Sequence, residues 1–348
     1  MKRMVGIAIV ILGICSIFLY AKNTGEYPVD GWEVQEDDSG KEQETEEMED
    51  NSVVYVEELL EEEKICLDEW ELEHVEAISM SYHDGVTQDD INRIGQYRHL
   101  KSLAIFIYDE GLDLSPLSNL TELETIELLT SPMHNTDVSF LSNLTELKEI
   151  FIWTGRIDDY SFFYSLRNLR EIYITKNSGI DDLSFFSDMP NLRSLDIVNV
   201  HDADLSYLAH LKNIEKIHVG GRQIRNVEML ANLSHVKELS LFEYGVYGEE
   251  RLTFDLHILD GMAELESLSL LYINIEDISP LAGKQFLRTI ILVDTGIGDI
   301  EALKNLNNLD WLAIYGNKSE KVKEQSELYI NDIKNVNVSE KIPNQYRL

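Results

Sequence analysis

LESLSLLYINIEDISPL, the stretch from Leu265 to Leu281, decides the fold of this chain. It begins with an apolar residue, two others, a second apolar residue, one other and a third apolar residue. A single serine separates Leu268 from Leu270, and such alternation is typical of a short β-strand with one buried face. Further apolar residues follow from Ile275 onward, so the return path also directs side chains into a core.

The same pattern occurs twelve times along the chain. Its copies begin at Val75, Leu100, Leu123, Leu147, Leu169, Leu192, Ile214, Val236, Leu265, Leu287, Leu309 and Ile333. Neighbouring copies start 22 to 29 residues apart, and 22 is the commonest separation. A period held over so long a stretch predicts a solenoid, in which each unit buries its apolar residues against the units above and below.

These residues resemble the leucine-rich-repeat family, and within it the 22-residue subtype of internalin-like bacterial surface proteins. The match is clearest over Leu265–Leu281 and Leu287–Leu303, and it extends from about Val75 to Val338. The resemblance implies an α/β solenoid. This would be a right-handed horseshoe with a concave parallel β-sheet and short helical or 3-10 turns on its convex side.

One position departs from the family pattern. The family usually places Asn eight residues after the first apolar residue of each repeat, and here only Asn177 and Asn317 fit. The backbone groups at these turns still need hydrogen-bond partners, from main chain, water or local side chains. We therefore expect a solenoid less regular than the best examples of the family.

The first 22 residues are set apart from the repeats. Lys2 and Arg3 precede eighteen uncharged residues, Met4–Ala21, close to the roughly 20 residues that cross a bilayer core. We interpret residues 1–22 as a cleaved signal peptide or a retained membrane anchor, and both place the rest outside the membrane. Lipidation at Cys15 is a third alternative. The competing interpretation is that Cys15 is simply a buried apolar residue of the segment.

Residues 23–64 are predicted to form a disordered acidic spacer. Between Glu33 and Glu63 there are fifteen acids and one base, so this stretch cannot bury enough apolar surface to offset its ordering entropy. The apolar residues of Val53–Leu67 are the exception, and they suit a short cap. Residues 65–348 then form the leucine-rich-repeat domain with N- and C-terminal caps.

Composition and motifs exclude several classes of function. The net charge of −35 repels phosphate backbones, so we predict no nucleic-acid partner and a preference for cationic ones. The two cysteines, Cys15 and Cys66, cannot build a disulfide framework or a Cys-rich zinc site. The sequence contains no phosphate-binding glycine loop, serine-hydrolase elbow or zincin motif. We predict neither catalysis nor a cofactor.

Acidic pairs such as Asp158-Asp159 and Asp181-Asp182 recur along the repeats. Calcium takes about six to eight oxygen ligands, but the sequence shows no twelve-residue calcium loop. We interpret the pairs as turn residues that start short helices, and we predict no metal site.

The outward-facing strand positions form the candidate binding surface. They lie four and six residues after each repeat start, and the second column is unusually apolar. Trp311 is added to them, two residues after its own repeat start. A long apolar stripe with aromatic anchors is typical of protein interfaces, although β-strands also favour such residues for their own sake. The predicted ligand-binding residues are Phe106, Leu129, Phe151, Trp153, Tyr173, Val198, His218, Phe242, Leu271, Trp311 and Tyr315.

The separation of 29 between Val236 and Leu265 contains seven extra residues, which fall within residues 242–262. An insertion in a repeat maps to a loop. The loop either lies near a binding face or is a surface loop with no role in function.

The function predicted from these features is a non-catalytic extracytoplasmic module. It would bind a protein or glycan ligand on its concave face, held at the membrane by the N-terminal segment or secreted. The alternative is a structural or self-associating cell-envelope protein.

Overall fold

The structure is a computed structural model. It describes residues 53–55, 74–80, 85–131, 135–153, 157–175, 180, 182–244, 251–329, 333, 335–343 and 346. The expected membrane segment 1–22 and most of the expected spacer 23–64 lie outside these residues. Over the described ranges, no helix is long and apolar enough to cross a membrane.

Within these residues, thirteen strands form one sheet, and each strand pairs in parallel with its neighbours in the sequence. They are β1 (Val53–Tyr55), β2 (Ala77–Ser79), β3 (Ser102–Ile107), β4 (Thr125–Thr130), β5 (Glu149–Trp153), β6 (Glu171–Thr175), β7 (Ser194–Asp204), β8 (Lys216–Arg225), β9 (Glu238–Glu243), β10 (Ser267–Leu271), β11 (Thr289–Val293), β12 (Trp311–Tyr315) and β13 (Asn335–Ser339). Strands β2 to β13 carry the twelve repeats, so the predicted parallel sheet is confirmed. β1 lies inside the stretch expected to be spacer. It pairs with β2 and so satisfies backbone N–H and C=O groups that an edge strand would leave unpaired.

Short 3-10 helices lie on the return path of the repeats. They span Ser115–Asn119, Ser139–Asn143, Ser161–Ser165, Ser184–Asp188, Leu205–Leu208, Val227–Asn232, Leu256–Gly261, Ser279–Gly283 and Glu301–Asn305. The described residues also form two α-helices, α1 (Gln88–Ile94) and α2 (Glu320–Tyr329). A period near 22 residues leaves little room for longer convex helices, and the prediction of short helical or 3-10 turns is confirmed.

The core is one continuous column between the sheet and these turns. Leu268 lies beside Ile290 in the paired register of β10 and β11, and Leu270 lies beside Leu292. All four side chains are fully buried. Each fully buried Leu or Ile contributes about 1.5–3 kcal/mol in transfer terms, and the neighbouring coil supplies the surface that buries it.

The 3-10 turns begin with a shared capping device. In the fourth repeat, the Asp159 carboxylate accepts the Ser161 backbone N–H at 2.8 Å, and this bond lowers the pKa of Asp159. Asp113, Asp137, Asp182, Asp204, Asp255, Asp277 and Asp299 make the same bond two residues on. The interpretation of the acidic pairs as residues that start short helices is confirmed.

The solenoid is irregular in its middle, as the missing asparagines predicted. β7 has 11 residues and β8 has 10, whereas the strands on either side have five or six. Their register shifts between Ile197 and Val200, where Asn199 has a φ of 69°. Main-chain bonds replace asparagine at other turns; the Tyr244 N–H, for example, donates to the Gly221 carbonyl at 2.9 Å.

The insertion is described only at its flanks, because residues 245–250 lie outside the described residues. Glu243 before it is buried. Its carboxylate accepts the Leu252 N–H at 2.7 Å and the Ile224 N–H at 3.4 Å. Phe254 after it is fully buried. The chain therefore leaves and rejoins the core at defined points.

Candidate binding face

The strands present the expected alternation to the concave face. In β5, Ile150 and Ile152 are buried in the core, while Phe151 and Trp153, which alternate with them, are half-buried on the outside. Phe106, Leu129, Tyr173, Val198, His218, Phe242 and Leu271 are half-buried in the same way. Trp311, at the first position of β12, is 42% exposed.

Three aromatic side chains meet on β5 and β6. The register places Phe151 beside Tyr173 and Trp153 beside Thr175. The ring centroids of Trp153 and Tyr173 are 5.0 Å apart, and those of Phe151 and Tyr173 are 6.3 Å apart. Such distances are favourable for aromatic pairs. The cluster is therefore a preorganised apolar surface on rigid strands.

Carboxylates lie in and beside this cluster, and the sequence analysis did not single them out. Glu127 lies between Ala104 and Phe151 in the paired strands. Burial raises the pKa of Glu127 to about 7. A hydrogen bond from the Trp153 side chain lowers this pKa, but its effect is smaller than that of burial. The sequence could have indicated this residue, because Glu127 lies four residues after its repeat start, in the same outward column as Phe151 and Tyr173.

Glu149 and Glu171 begin β5 and β6 and are direct partners across the sheet. Burial raises the pKa of Glu149, and the negative charge of Glu171 raises it further. The Thr125 hydroxyl donates to the Glu149 carboxylate at 3.3 Å, and this hydrogen bond lowers the pKa of Glu149. Like charges facing each other across paired strands are unfavourable, so this edge of the cluster attracts positive charge.

A second group of side chains lies on β7 to β9. His218 Nδ1 is 3.1 Å from Asp196 Oδ1. The ring of Phe242 lies 6.0 Å from the imidazole and 5.1 Å from the Tyr244 ring. Phe242 occupies the space above Gly220, because a Cβ at that glycine would come within 1.9 Å of the phenyl ring. The absence of a side chain at Gly220 thus lets the phenyl ring lie close to the backbone of the sheet.

The C-terminal end of the concave face is covered, which corrects the expectation that the whole stripe is open. Tyr315 is only 5% exposed and Val293 is fully buried. The Tyr346 ring lies 5.5 Å from the Tyr315 ring, and Tyr272 Oη donates to the Tyr346 carbonyl at 2.5 Å. Ile342 also packs against this cluster. The chain after β13 therefore returns over the sheet and removes Tyr315 from the accessible surface.

The convex side carries a cleft of about 380 Å³, lined by Asp137, Asp158, Asp159 and several serines. Asp137 and Asp159 already accept the capping N–H groups of Ser139 and Ser161. Within the described part of the chain, no group of three or more His, Cys, Asp or Glu side chains is placed to hold a metal ion. Asp158 accepts the Asn135 side-chain amide at 2.7 Å, so local hydrogen bonds explain the acidic lining.

No protein-family model and no curated protein matches this sequence. Solved structures do match. An internalin from Listeria monocytogenes is 25% identical, with a TM-score of 0.56, over 75% of this chain and 78% of that chain. A second match is the ectodomain of the plant membrane receptor kinase GASSHO1/SCHENGEN3 from Arabidopsis thaliana, solved in complex with CASPARIAN STRIP INTEGRITY FACTOR 2.

That receptor match is 16% identical, with a TM-score of 0.52, and covers 79% of this chain and 37% of the receptor chain. It shows the fold alone. The repeat pattern, the thirteen-stranded parallel sheet and the 3-10 turns agree with these matches. The resemblance inferred from the repeats is confirmed: the chain has the leucine-rich-repeat fold and is similar to an internalin over most of its length.

Proposed function

We propose that this chain is a non-catalytic, extracytoplasmic module that binds a protein or glycan ligand on its concave face. The observation that carries the proposal is the cluster of Phe151, Trp153 and Tyr173, held half-exposed on paired strands. Large aromatic side chains in a rigid setting are the usual anchors of interfaces, because they bury much area and lose little conformational freedom.

The comparisons support a binding role. The plant receptor ectodomain is solved in complex with CASPARIAN STRIP INTEGRITY FACTOR 2, so at least one protein with this fold forms a complex with a ligand. The membrane or extracellular location rests on the sequence of residues 1–22, with positive charge before an apolar run.

The proposal is tested by affinity capture with the full chain, followed by titration of whatever partner is identified. The full chain is kept in a non-ionic detergent because of its apolar residues 4–21. Phe151→Ala and Trp153→Ala should each weaken binding of that partner about tenfold or more, with circular dichroism unchanged. Phe286→Ala is the matched control. This aromatic residue is 59% exposed and lies outside the strands of the sheet.

A partner that binds the three variants and the unmodified chain equally well would contradict binding through the concave face. Equal weakening by Phe286→Ala would also contradict it, because the effect would then not depend on the aromatic cluster.

Self-association is the second candidate, and two exposed apolar side chains favour it. Leu328 on α2 is 72% exposed, and Trp311 at the start of β12 is 42% exposed. Sedimentation velocity of the full chain over a range of concentrations distinguishes the candidates. A dimer that Leu328→Lys dissociates supports self-association, and a monomer at every concentration excludes it.

A further inference from the structure

The concave surface of β4, β5 and β6 combines three aromatic rings with three carboxylates. We call it the aromatic–acidic patch; it consists of Glu127, Glu149, Phe151, Trp153, Glu171 and Tyr173. The register places Glu127, Phe151 and Tyr173 side by side on successive strands, and it places Glu149 beside Glu171. The rings are therefore bordered by acid on two sides.

The positive charges close to the patch do not neutralise it. β4, β5 and β6 contain three Glu residues and neither Lys nor Arg. Lys148 and Arg170 precede β5 and β6, and both weakly lower the pKa of Glu149. Lys148 Nζ already lies 2.5 Å from the Glu124 carboxylate. Local negative charge thus remains on a half-buried apolar surface.

The ionised form of Glu127 carries a cost in the folded state. Burial in the patch favours the protonated form of Glu127 and raises its pKa to about 7. A neutral side chain of similar shape would pack there without that cost. Carboxylates with perturbed pKa values on an accessible surface are typical of functional sites.

We propose that the aromatic–acidic patch is a subsite for an Arg or Lys side chain carried by a basic segment of the protein partner. The inference rests on the proposed concave-face function and specifies the chemistry of its ligand. A cation over the face of Trp153 or Tyr173 is attracted by the ring quadrupole. The carboxylate of Glu127 then accepts charge-assisted hydrogen bonds, for which a guanidinium is particularly well shaped.

Charge complementarity favours a basic peptide over a neutral sugar. A sugar ring can stack on Trp153, but it leaves Glu127 and the facing pair Glu149 and Glu171 without a counter-charge. An arriving cation neutralises these groups and shields the two facing carboxylates from each other.

The test uses fluorescence anisotropy of labelled, acetylated hexa-arginine with the full chain at about 0.15 M salt, where long-range attraction is screened. Hexa-citrulline is the neutral control peptide, since it keeps the planar side chain and lacks the charge. Hexa-arginine should bind at least about tenfold more tightly than hexa-citrulline, as expected for ring and carboxylate contacts with a cation.

Matched variants separate the patch from the general acidity of the chain. The double variant Glu127→Gln, Glu149→Gln should weaken hexa-arginine binding about tenfold or more. The double variant Glu228→Gln, Glu276→Gln replaces the same number of carboxyl groups at exposed positions outside the strands and should change binding less than about twofold. Trp153→Leu should weaken it like the first pair, and Tyr173→Leu is the substitute if Trp153→Leu does not fold.

Equal weakening by both double variants would overturn the proposal, because the attraction would then be general. Binding of cellohexaose that depends on Trp153, with no preference for arginine over citrulline, would also overturn it in favour of a glycan. Either result leaves the proposed function standing if Phe151→Ala and Trp153→Ala still impair the identified partner. If those alanine variants bind the partner normally, the function itself fails.

Discussion

Replacing Glu127 by glutamine isolates the energetic cost of a carboxylate on the apolar concave face. Burial raises the pKa of Glu127 from its ordinary value of 4.5 to about 7. The folded state therefore favours the protonated form. The stability associated with that form is fully present below pH 4.5 and is lost as the pH rises through 7. A shift of this size corresponds to roughly 3 kcal/mol, at about 1.4 kcal/mol per unit.

Glutamine keeps the shape and the acceptor oxygen of the side chain but does not ionise. At pH 4.5 the variant and the unmodified chain should have nearly equal free energies of unfolding. The variant should become progressively more stable relative to the unmodified chain up to pH 8, by up to about 3 kcal/mol. Urea titrations followed by circular dichroism at several pH values measure this difference directly.

Glu276→Gln is the control, because it makes the same replacement at an exposed position. The pH dependence contributed by the many other acids cancels when each variant is compared with the unmodified chain at the same pH. A constant difference for Glu127→Gln, or a variant less stable at pH 8, would refute the assignment of Glu127 to a poorly solvated position.

Three further predictions test the fold. Leu268→Asp places a charge in a fully buried position and should abolish the cooperative thermal transition followed by circular dichroism; an unchanged melt would contradict the repeat register. Gly220→Ala forces the Phe242 ring away and should cost about 1–3 kcal/mol in urea unfolding. Adding Phe242→Ala should restore part of that loss, and failure to do so would mean that the ring is not the obstacle. Tyr346→Ala should speed amide hydrogen exchange in β12 at its end near the tail, while β5 stays unchanged; unaltered exchange in β12 would show that the tail does not cover it.

The repeat made most of the fold predictable. The apolar spacing around Leu268 and Leu270 is set by the pleat of a strand, and the aspartates before the turns follow from the need to cap them. Both depend on neighbours close in sequence or one period away. The two columns that contain Phe151 and Trp153 were predictable for the same reason, since a strand alternates its two faces.

Features that depend on aperiodic contacts could not be predicted. Tyr315 is in the same column as Trp153, yet Tyr346 returns to cover it, and no period relates those two residues. Lys284 is another case: its ammonium group is buried and donates to the carbonyls of Leu259 and Met262, and no position of the repeat pattern specifies that contact. The cost of burying Glu127 likewise arises from side chains on adjacent strands.

The returning tail sets a boundary on any ligand that runs across the strands. With Tyr272, Val293 and Tyr315 already covered, the half-buried part of the stripe runs from Phe106 on β3 to Leu271 on β10, which is roughly 34 Å at the usual strand spacing. An extended segment of about ten residues fills that distance. One end of such a segment would contact Tyr315 and Tyr346, while the other end would extend over the first strands. The stripe therefore has a direction as well as a length.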